Sequence, residues 1–230
     1  MNHKISVVIA AYNEEPRIAE VLKVVEHHPL LDEVIVVNDG SKDKTSSVVK
    51  KFDVKLIDNE KNMGKTMSVK RGIEAAKNDI IMLLDADLKG LTKIAIEELA
   101  SPVLEGKVDW TLSLRKNSNL LMKTVKMDWI SGERVIPKKL LMAPLIWSRP
   151  DVGYGLETLM NKSLLDSGKS FCSVYIPTLN ITKKAEKIGI MQGWRDEYKM
   201  LKQIAKVMPL HKVLFQFARM AYLNGKHDWK

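Results

Sequence analysis

The chain has 230 residues, 45% of them hydrophobic and 28% charged, proportions that suit one generous α/β domain or a domain with an appendage. A single cysteine, Cys172, excludes an internal disulfide, and the longest apolar stretches, such as Leu140–Trp147 around Pro144, are too short for a bilayer-spanning helix. The net charge of +9 arises wholly in the second half, because residues 1–100 carry 15 Lys+Arg against 17 Asp+Glu while residues 101–230 carry 22 against 11. Such a field attracts phosphates, anionic lipid surfaces or nucleic acid.

Ile5–Ala10 reads as the first buried strand and runs into the polar break Ala11-Tyr12-Asn13-Glu14-Glu15-Pro16. Pro16 suits the first turn of a helix, and the acidic pair before it suits the positive end of the helix dipole. Ile18, Val21, Leu22 and Val25 then recur at helical spacing. Glu33–Val37 is a second strand, followed by Asn38–Thr45, where Asp39-Gly40 signals a turn and Ser41 or Asp43 can cap the helix of Val48 and Val49. Val54–Ile57 is a short third strand, Asn62-Met63-Gly64-Lys65 a tight loop, and Thr66–Ala76 a helix.

Ile80–Leu84 follows, five apolar residues that read as a buried central strand and end in Asp85-Ala86-Asp87. Residues i and i+2 on extended backbone point the same way, so Asp85 and Asp87 can grip one hard divalent cation where the strand leaves the core. A helix-capping Asp beside a solvated neighbour is the competing reading. The β-α-β-α-β-α-β alternation predicts a parallel doubly wound sheet, in which ligands bind outside the carboxyl ends of the strands. The turns at 11–15, 38–41 and 85–87 should therefore converge on one cleft.

Beyond Leu88 the pattern predicts a helix through Ile94, Ile96 and Leu99 that stops at Pro102, then a strand over Val108–Leu114. Lys126–Leu141 reads as helical with an interruption at Pro137, and Leu156–Met160 as a buried helix after Gly153-Tyr154-Gly155. Cys172–Ile176 resembles another strand. In the basic tail, Val207, Leu210, Leu214, Phe217, Ala218 and Ala221 share one face of a helix, with Lys212, Arg219 and Lys226 elsewhere. That helix either packs on the domain or lies on an anionic membrane. On the second reading, deleting residues from Pro209 onward releases the chain from acidic liposomes and leaves donor hydrolysis intact. The expected organisation is a domain over residues 1–205, divided near residue 100, and a basic amphipathic helix over 206–230.

Four motifs in order carry a resemblance: Val7–Glu15, Val36–Thr45, Asn62-Met63-Gly64-Lys65 and Leu84-Asp85-Ala86-Asp87 resemble the signature series of family 2 glycosyltransferases with the GT-A fold. The resemblance implies a Rossmann-like, mostly parallel sheet flanked by helices, and transfer of a sugar from a nucleotide-diphosphate donor with Mg²⁺ or Mn²⁺. It places Ala10, Tyr12 and Glu14 along the nucleotide, Asp39 on the base, Lys65 near the donor, Asp85 near ribose or sugar, and Asp87 on the metal. UDP is the nucleotide this family uses most often. Ser131-Gly132-Glu133-Arg134 and Gly153-Tyr154-Gly155-Leu156-Glu157 resemble acceptor-side motifs of the subset containing polyprenyl-phosphate sugar synthases and glucosyl-3-phosphoglycerate synthase.

Within that resemblance Glu157 is a general base or a structural carboxylate, and Arg134 a phosphate clamp or a surface arginine. Many relatives carry a metal-binding His after the strand that corresponds to Cys172–Ile176, but Pro177–Lys184 has none, which leaves Asn180, Thr182 or water. The expected partners are a nucleotide-sugar and a phosphate-bearing or lipid acceptor, with an anionic membrane surface as a further one. No secretory leader is expected, so the location implied is cytoplasmic, peripheral on the inner face of the membrane if the tail binds there. A sugar-1-phosphate nucleotidyltransferase would need a glycine-rich loop where Ala10–Pro16 has no glycine, and no nucleic-acid-binding motif is visible. A non-catalytic nucleotide-sugar-binding module is the rival from another class.

Overall fold

The computed structural model describes residues 4–118, 120–148, 155–181 and 202–225. Gly153, Tyr154, Thr182, Lys226 and two of the five histidines, His3 and His227, lie outside those residues. Among the described residues nine strands form: Ile5–Ala11 (β1), Leu31–Asn38 (β2), Lys55–Asp58 (β3), Ile80–Asp85 (β4), Leu88–Lys89 (β5), Trp110–Arg115 (β6), Arg134–Pro137 (β7), Phe171–Ile176 (β8) and Asn180–Ile181 (β9). Seven of them hydrogen-bond in the order β3-β2-β1-β4-β7-β6-β8, while β5 and β9 pair as a separate ribbon. β3, β2, β1 and β4 run parallel, and β8 runs parallel to β6, but β7 is antiparallel to both β4 and β6. The result is the mostly parallel sheet expected.

Among the described residues the helices are Ile18–Val25 (α1), Thr45–Val49 (α2), Lys65–Ala75 (α3), Lys93–Leu104 (α4), Leu120–Thr124 (α5), Lys138–Leu141 (α6), Leu156–Asp166 (α7) and Leu210–Gly225 (α8), and residues 202–207 are helical as well. They divide the apolar residues between the two faces of the sheet. Ile18, Val21, Leu22 and Val25 of α1 meet Ile96 and Leu99 of α4 over one face. Val69 and Ile73 of α3, Leu159 and Met160 of α7 and Met220 of α8 cover the other. Trp110 and Phe171 stack across β6 and β8 with ring centroids 4.4 Å apart.

Three expectations are corrected. Lys126–Leu141 is helical only after Pro137, as α6: Lys126 has φ +52, and Arg134–Pro137 enters the sheet as β7, the β-branched Val135 and Ile136 filling the gap between β4 and β6. Pro137 sits at the end of that strand, where the missing N–H costs little. Pro102 does not stop the fourth helix but lies inside it, two residues before its end. The tail helix is broken at Pro209, so Val207 and Leu210 do not belong to one continuous face. Val213, Gln216, Met220 and Asn224 turn inward instead, and Leu210, Leu214 and Ala218 face outward.

Candidate active site

The carboxyl ends of β1, β2 and β4 are brought level by register, Ala10 opposite Asp85 and Ala11 opposite Asn38. The turns that leave them bind one another. Asn13 N–H donates to Ser41 Oγ at 2.9 Å, Glu14 N–H to Thr45 Oγ1 at 2.9 Å, and Lys42 N–H to Asn13 Oδ1 at 2.9 Å. Asp39 is buried, and its carboxylate accepts from Met63 N–H at 2.8 Å, Gly64 N–H at 2.9 Å and Asn59 Nδ2 at 2.8 Å. This links β2 to the loop that starts α3. Gly40 allows the approach, since a Cβ there would stand 2.5 Å from the Lys61 carbonyl carbon, and its φ is +67.

Lys65, at the first position of α3, reaches across the mouth of the sheet. Its Nζ donates to Asp85 Oδ1 at 2.9 Å and to Glu157 Oε1 at 2.8 Å. One ammonium thus joins a carboxylate at the end of β4 to one in the first turn of α7. Ala10, Leu84, Gly132 and Leu156 line the pocket around these three groups. Burial works against the charges of Lys65 and Asp85. The two carboxylates nonetheless hold the Lys65 pKa above its usual value, and Lys65 holds the Asp85 carboxyl below its own.

Gly132 packs directly on Asp85, and a Cβ at that position would lie 2.7 Å from both carboxylate oxygens. Gly132→Ala is therefore expected to displace the Asp85 carboxylate, costing roughly 1–3 kcal/mol of overpacking. Thermal melts together with donor binding check this; unchanged donor affinity would show that the position of Asp85 does not matter.

Behind Asp85 lies a second layer that the sequence reading did not foresee. Glu133 is fully buried, and its Oε2 accepts from Ser113 Oγ and Ser131 Oγ, each at 2.6 Å. Burial pushes the Glu133 carboxyl above the usual range against the pull of Arg115, and the Asp85 charge pushes it further. Arg115 Nη2 pairs with Asp128 Oδ2 at 2.8 Å. The available signal was Thr111, Ser113 and Arg115 at period two on β6, all buried, where one face of a buried strand turns polar.

Arg134 corrects both expectations made for it. It is neither a surface residue nor an exposed phosphate clamp, being fully buried. Its guanidinium donates to Ser131 O at 2.9 Å, Trp129 O at 3.1 Å and Asn161 Oδ1 at 2.6 Å. Burial, outweighing nearby carboxylates, draws its pKa down to about 10. These contacts fix the 129–131 turn from beneath. Arg134→Met is expected to orphan the Ser131 carbonyl and the Asn161 amide oxygen, while Trp129 O keeps its bond from Asn161 Nδ2, lowering stability by about 2–4 kcal/mol in a denaturant titration. A loss within 0.5 kcal/mol would contradict the assigned role.

The remaining predicted residues divide by surroundings. Ala10 lines the pocket, Tyr12 is 41% exposed on the turn after β1, and Glu14 binds the side chain of Arg17. Asp87 lies in the turn after β4 and is 8% exposed. The β5–β9 ribbon sets Asn180 opposite Lys89, two residues beyond Asp87, and the Asn180 amide donates to Thr178 O at 3.1 Å. Among the described residues no three His, Cys, Asp or Glu side chains gather as a ligand set.

Comparison with known proteins fits this geometry. A family model described as glycosyl transferase family 2 matches residues 6–152. A dolichyl-phosphate beta-glucosyltransferase, ALG5A, of Trichomonas vaginalis is 31% identical over 170 residues, 68% of this chain and 47% of that protein. The chain thus spans about half the length of that relative. An uncharacterized protein of Methanocaldococcus jannaschii is 26% identical over 225 residues, 91% of this chain and 97% of its own. In fold, the chain is similar to glucosyl-3-phosphoglycerate synthase from Mycobacterium tuberculosis, solved with Mn²⁺, UDP and glucosyl-3-phosphoglycerate. That similarity has a TM-score of 0.67 at 23% identity and covers 89% of this chain and 80% of that one.

Proposed function

Because the chain belongs to glycosyl transferase family 2 and is a glycosyltransferase, we propose that it moves a sugar from a UDP-sugar to a phosphate-bearing, lipid-linked acceptor such as a polyprenyl phosphate. The observation that carries this reading is the Lys65 ammonium held between Asp85 and Glu157. It sets one positive charge at the boundary between the nucleotide-side turns and α7. On donor binding, Ala10, Tyr12 and Glu14 line the nucleotide, Asp39 keeps the 62–64 loop shaped around it, and Lys65 and Asp85 meet the ribose and sugar. The UDP that the structural relative holds, and the dolichyl phosphate in the name of the sequence relative, support the two substrate classes.

Asp87, with Asp85 beside it, is the residue that would hold Mg²⁺ or Mn²⁺. A donor set this small suits a hard cation that shares its coordination with substrate phosphates and water rather than one resident in a protein cage. The bound cation would supply charge neutralisation for the departing diphosphate. The carboxylate of Glu157 is 4% exposed and committed to Lys65. A phosphate acceptor is already ionised and asks for positioning and charge compensation rather than proton removal, which fits that commitment.

The test is thermal-shift screening of UDP-, GDP- and dTDP-sugars with and without Mn²⁺, followed by turnover on a short-chain polyprenyl phosphate and on 3-phosphoglycerate. A Mn²⁺-dependent shift with a UDP-sugar and transfer to the polyprenyl phosphate are expected. Turnover on 3-phosphoglycerate alone would overturn the lipid acceptor, and no response to any nucleotide-sugar would overturn the donor.

A further inference from the structure

α8 turns two faces to different surroundings. Inward, Met220 is fully buried, and Asn224 spans two elements, its Oδ1 accepting from Ser173 N–H at 2.8 Å and its Nδ2 donating to Lys126 O at 3.1 Å. Outward, Leu210, Leu214 and Phe215 are 57%, 68% and 69% exposed. Single exposed apolar side chains are ordinary, but three large ones within six residues form a patch. His211, Lys212 and Arg219 flank them, and no Asp or Glu occurs from residue 202 to residue 225.

α5 repeats the combination. Leu120 and Leu121 are exposed, Lys123 follows them, and no acidic residue occurs between Arg115 and Asp128. The two helices belong to one neighbourhood, because Asn224 holds the Lys126 carbonyl and Phe217 meets Trp129 edge-on with centroids 6.2 Å apart. The inward face of the same helix reaches the cleft. Gln216 Nε2 donates to the carbonyl of Thr158 at 3.0 Å, the residue next to Glu157.

We propose that the outward face of α8, together with α5, docks on an anionic phospholipid surface. Leu210, Leu214, Phe215, Leu120 and Leu121 enter the acyl boundary, while Lys212 and Lys123 meet headgroup phosphates. The charge pattern selects this occupant over a second copy of the chain. A symmetric pair would bring the same basic rim against itself, whereas an anionic surface compensates it. The docking deepens the lipid-acceptor reading and rests on it for its purpose, though not for its geometry. It also changes the expectation for truncation: cutting at Pro209 removes Met220 from the core, so substitutions on the outward face are the sound probe.

The experiment is cosedimentation of the full chain with phosphatidylcholine vesicles with or without phosphatidylglycerol, for the native protein and Leu214→Ser/Phe215→Ser. The native chain should bind the anionic vesicles in a salt-sensitive manner, and the variant at least about tenfold more weakly, with its melting temperature and UDP-sugar hydrolysis unchanged. Absence of binding, equal binding by the variant, or a solution dimer that the variant dissolves would overturn the proposal. Transfer to a soluble polyprenyl phosphate without vesicle binding defeats the docking and leaves the acceptor standing. Vesicle binding without such transfer supports the docking and defeats the acceptor.

Discussion

Asp87→Asn is expected to lower sugar transfer by about a hundredfold to a thousandfold, the scale found when one group that compensates transition-state charge is removed. The substitution keeps the volume and polarity of a side chain that is 8% exposed, so melting temperature in the absence of ligand should change little. Turnover and the Mn²⁺-dependent thermal shift should fall together. A variant that keeps its activity, with the metal requirement unchanged, would show that the acidic turn is structural. An asparagine enzyme with full turnover and no metal requirement would remove Asp87 from the cation altogether.

Lys65→Met is expected to damage both stability and activity, because it leaves two buried carboxylates without their shared counter-charge. Breaking a fully buried pair costs about 3–5 kcal/mol; the Lys65 side chain is 36% exposed, so solvent screening reduces this to roughly 1–3 kcal/mol. The pH dependence has a definite sign. Burial opposes the Asp85 charge, but Lys65 keeps the folded-state pKa below the ordinary carboxylate value. That contribution is present above the unfolded pKa of about 4 and is lost as pH falls through the lower folded value. The deficit of Lys65→Met should therefore be largest near neutrality and shrink as the orphaned carboxylates take up protons. Thermal melts across that range check it, and a deficit independent of pH would contradict it. Lys65→Met/Glu157→Gln should recover part of the loss by removing one of the unpaired charges.

Much of the nucleotide-side half was legible because its strands are continuous apolar runs that end in turn chemistry. Ile5–Ala11, Leu31–Asn38 and Ile80–Asp85 each hand the chain to a polar loop at the same edge. Convergence of those loops follows from parallel topology alone. The acceptor side was less legible because its signals are short or belong to distant partners. Arg134–Pro137 is four residues long, and its basic first residue and final proline hide a central strand. Arg134 reads as an anion clamp only until Trp129 O, Ser131 O and Asn161 fill its donors, and Asn161 lies 27 positions away. Asp85 and Asp87 read as a matched pair because they share a direction; nothing local reveals that Lys65, from another element, already balances the first. For the tail, the 3.6-residue period marked an amphipathic helix, but a stripe alone does not say which side meets the core. The interruption at Pro209 and the inward Met220 decide it.

The reversed run of β7 has a consequence for how such a protein can diversify. β6 ends, and β7 begins, on the same side of the sheet, so residues 116–133 form a detour that departs from the ligand edge and returns to it. Lengthening or recasting that detour leaves every strand pairing in place. Its outer part, before Asp128, is the segment where new acceptor preferences can be grafted without disturbing the Asp128, Ser131 and Glu133 contacts behind Asp85, and loop exchanges confined to it should preserve nucleotide binding while altering what receives the sugar.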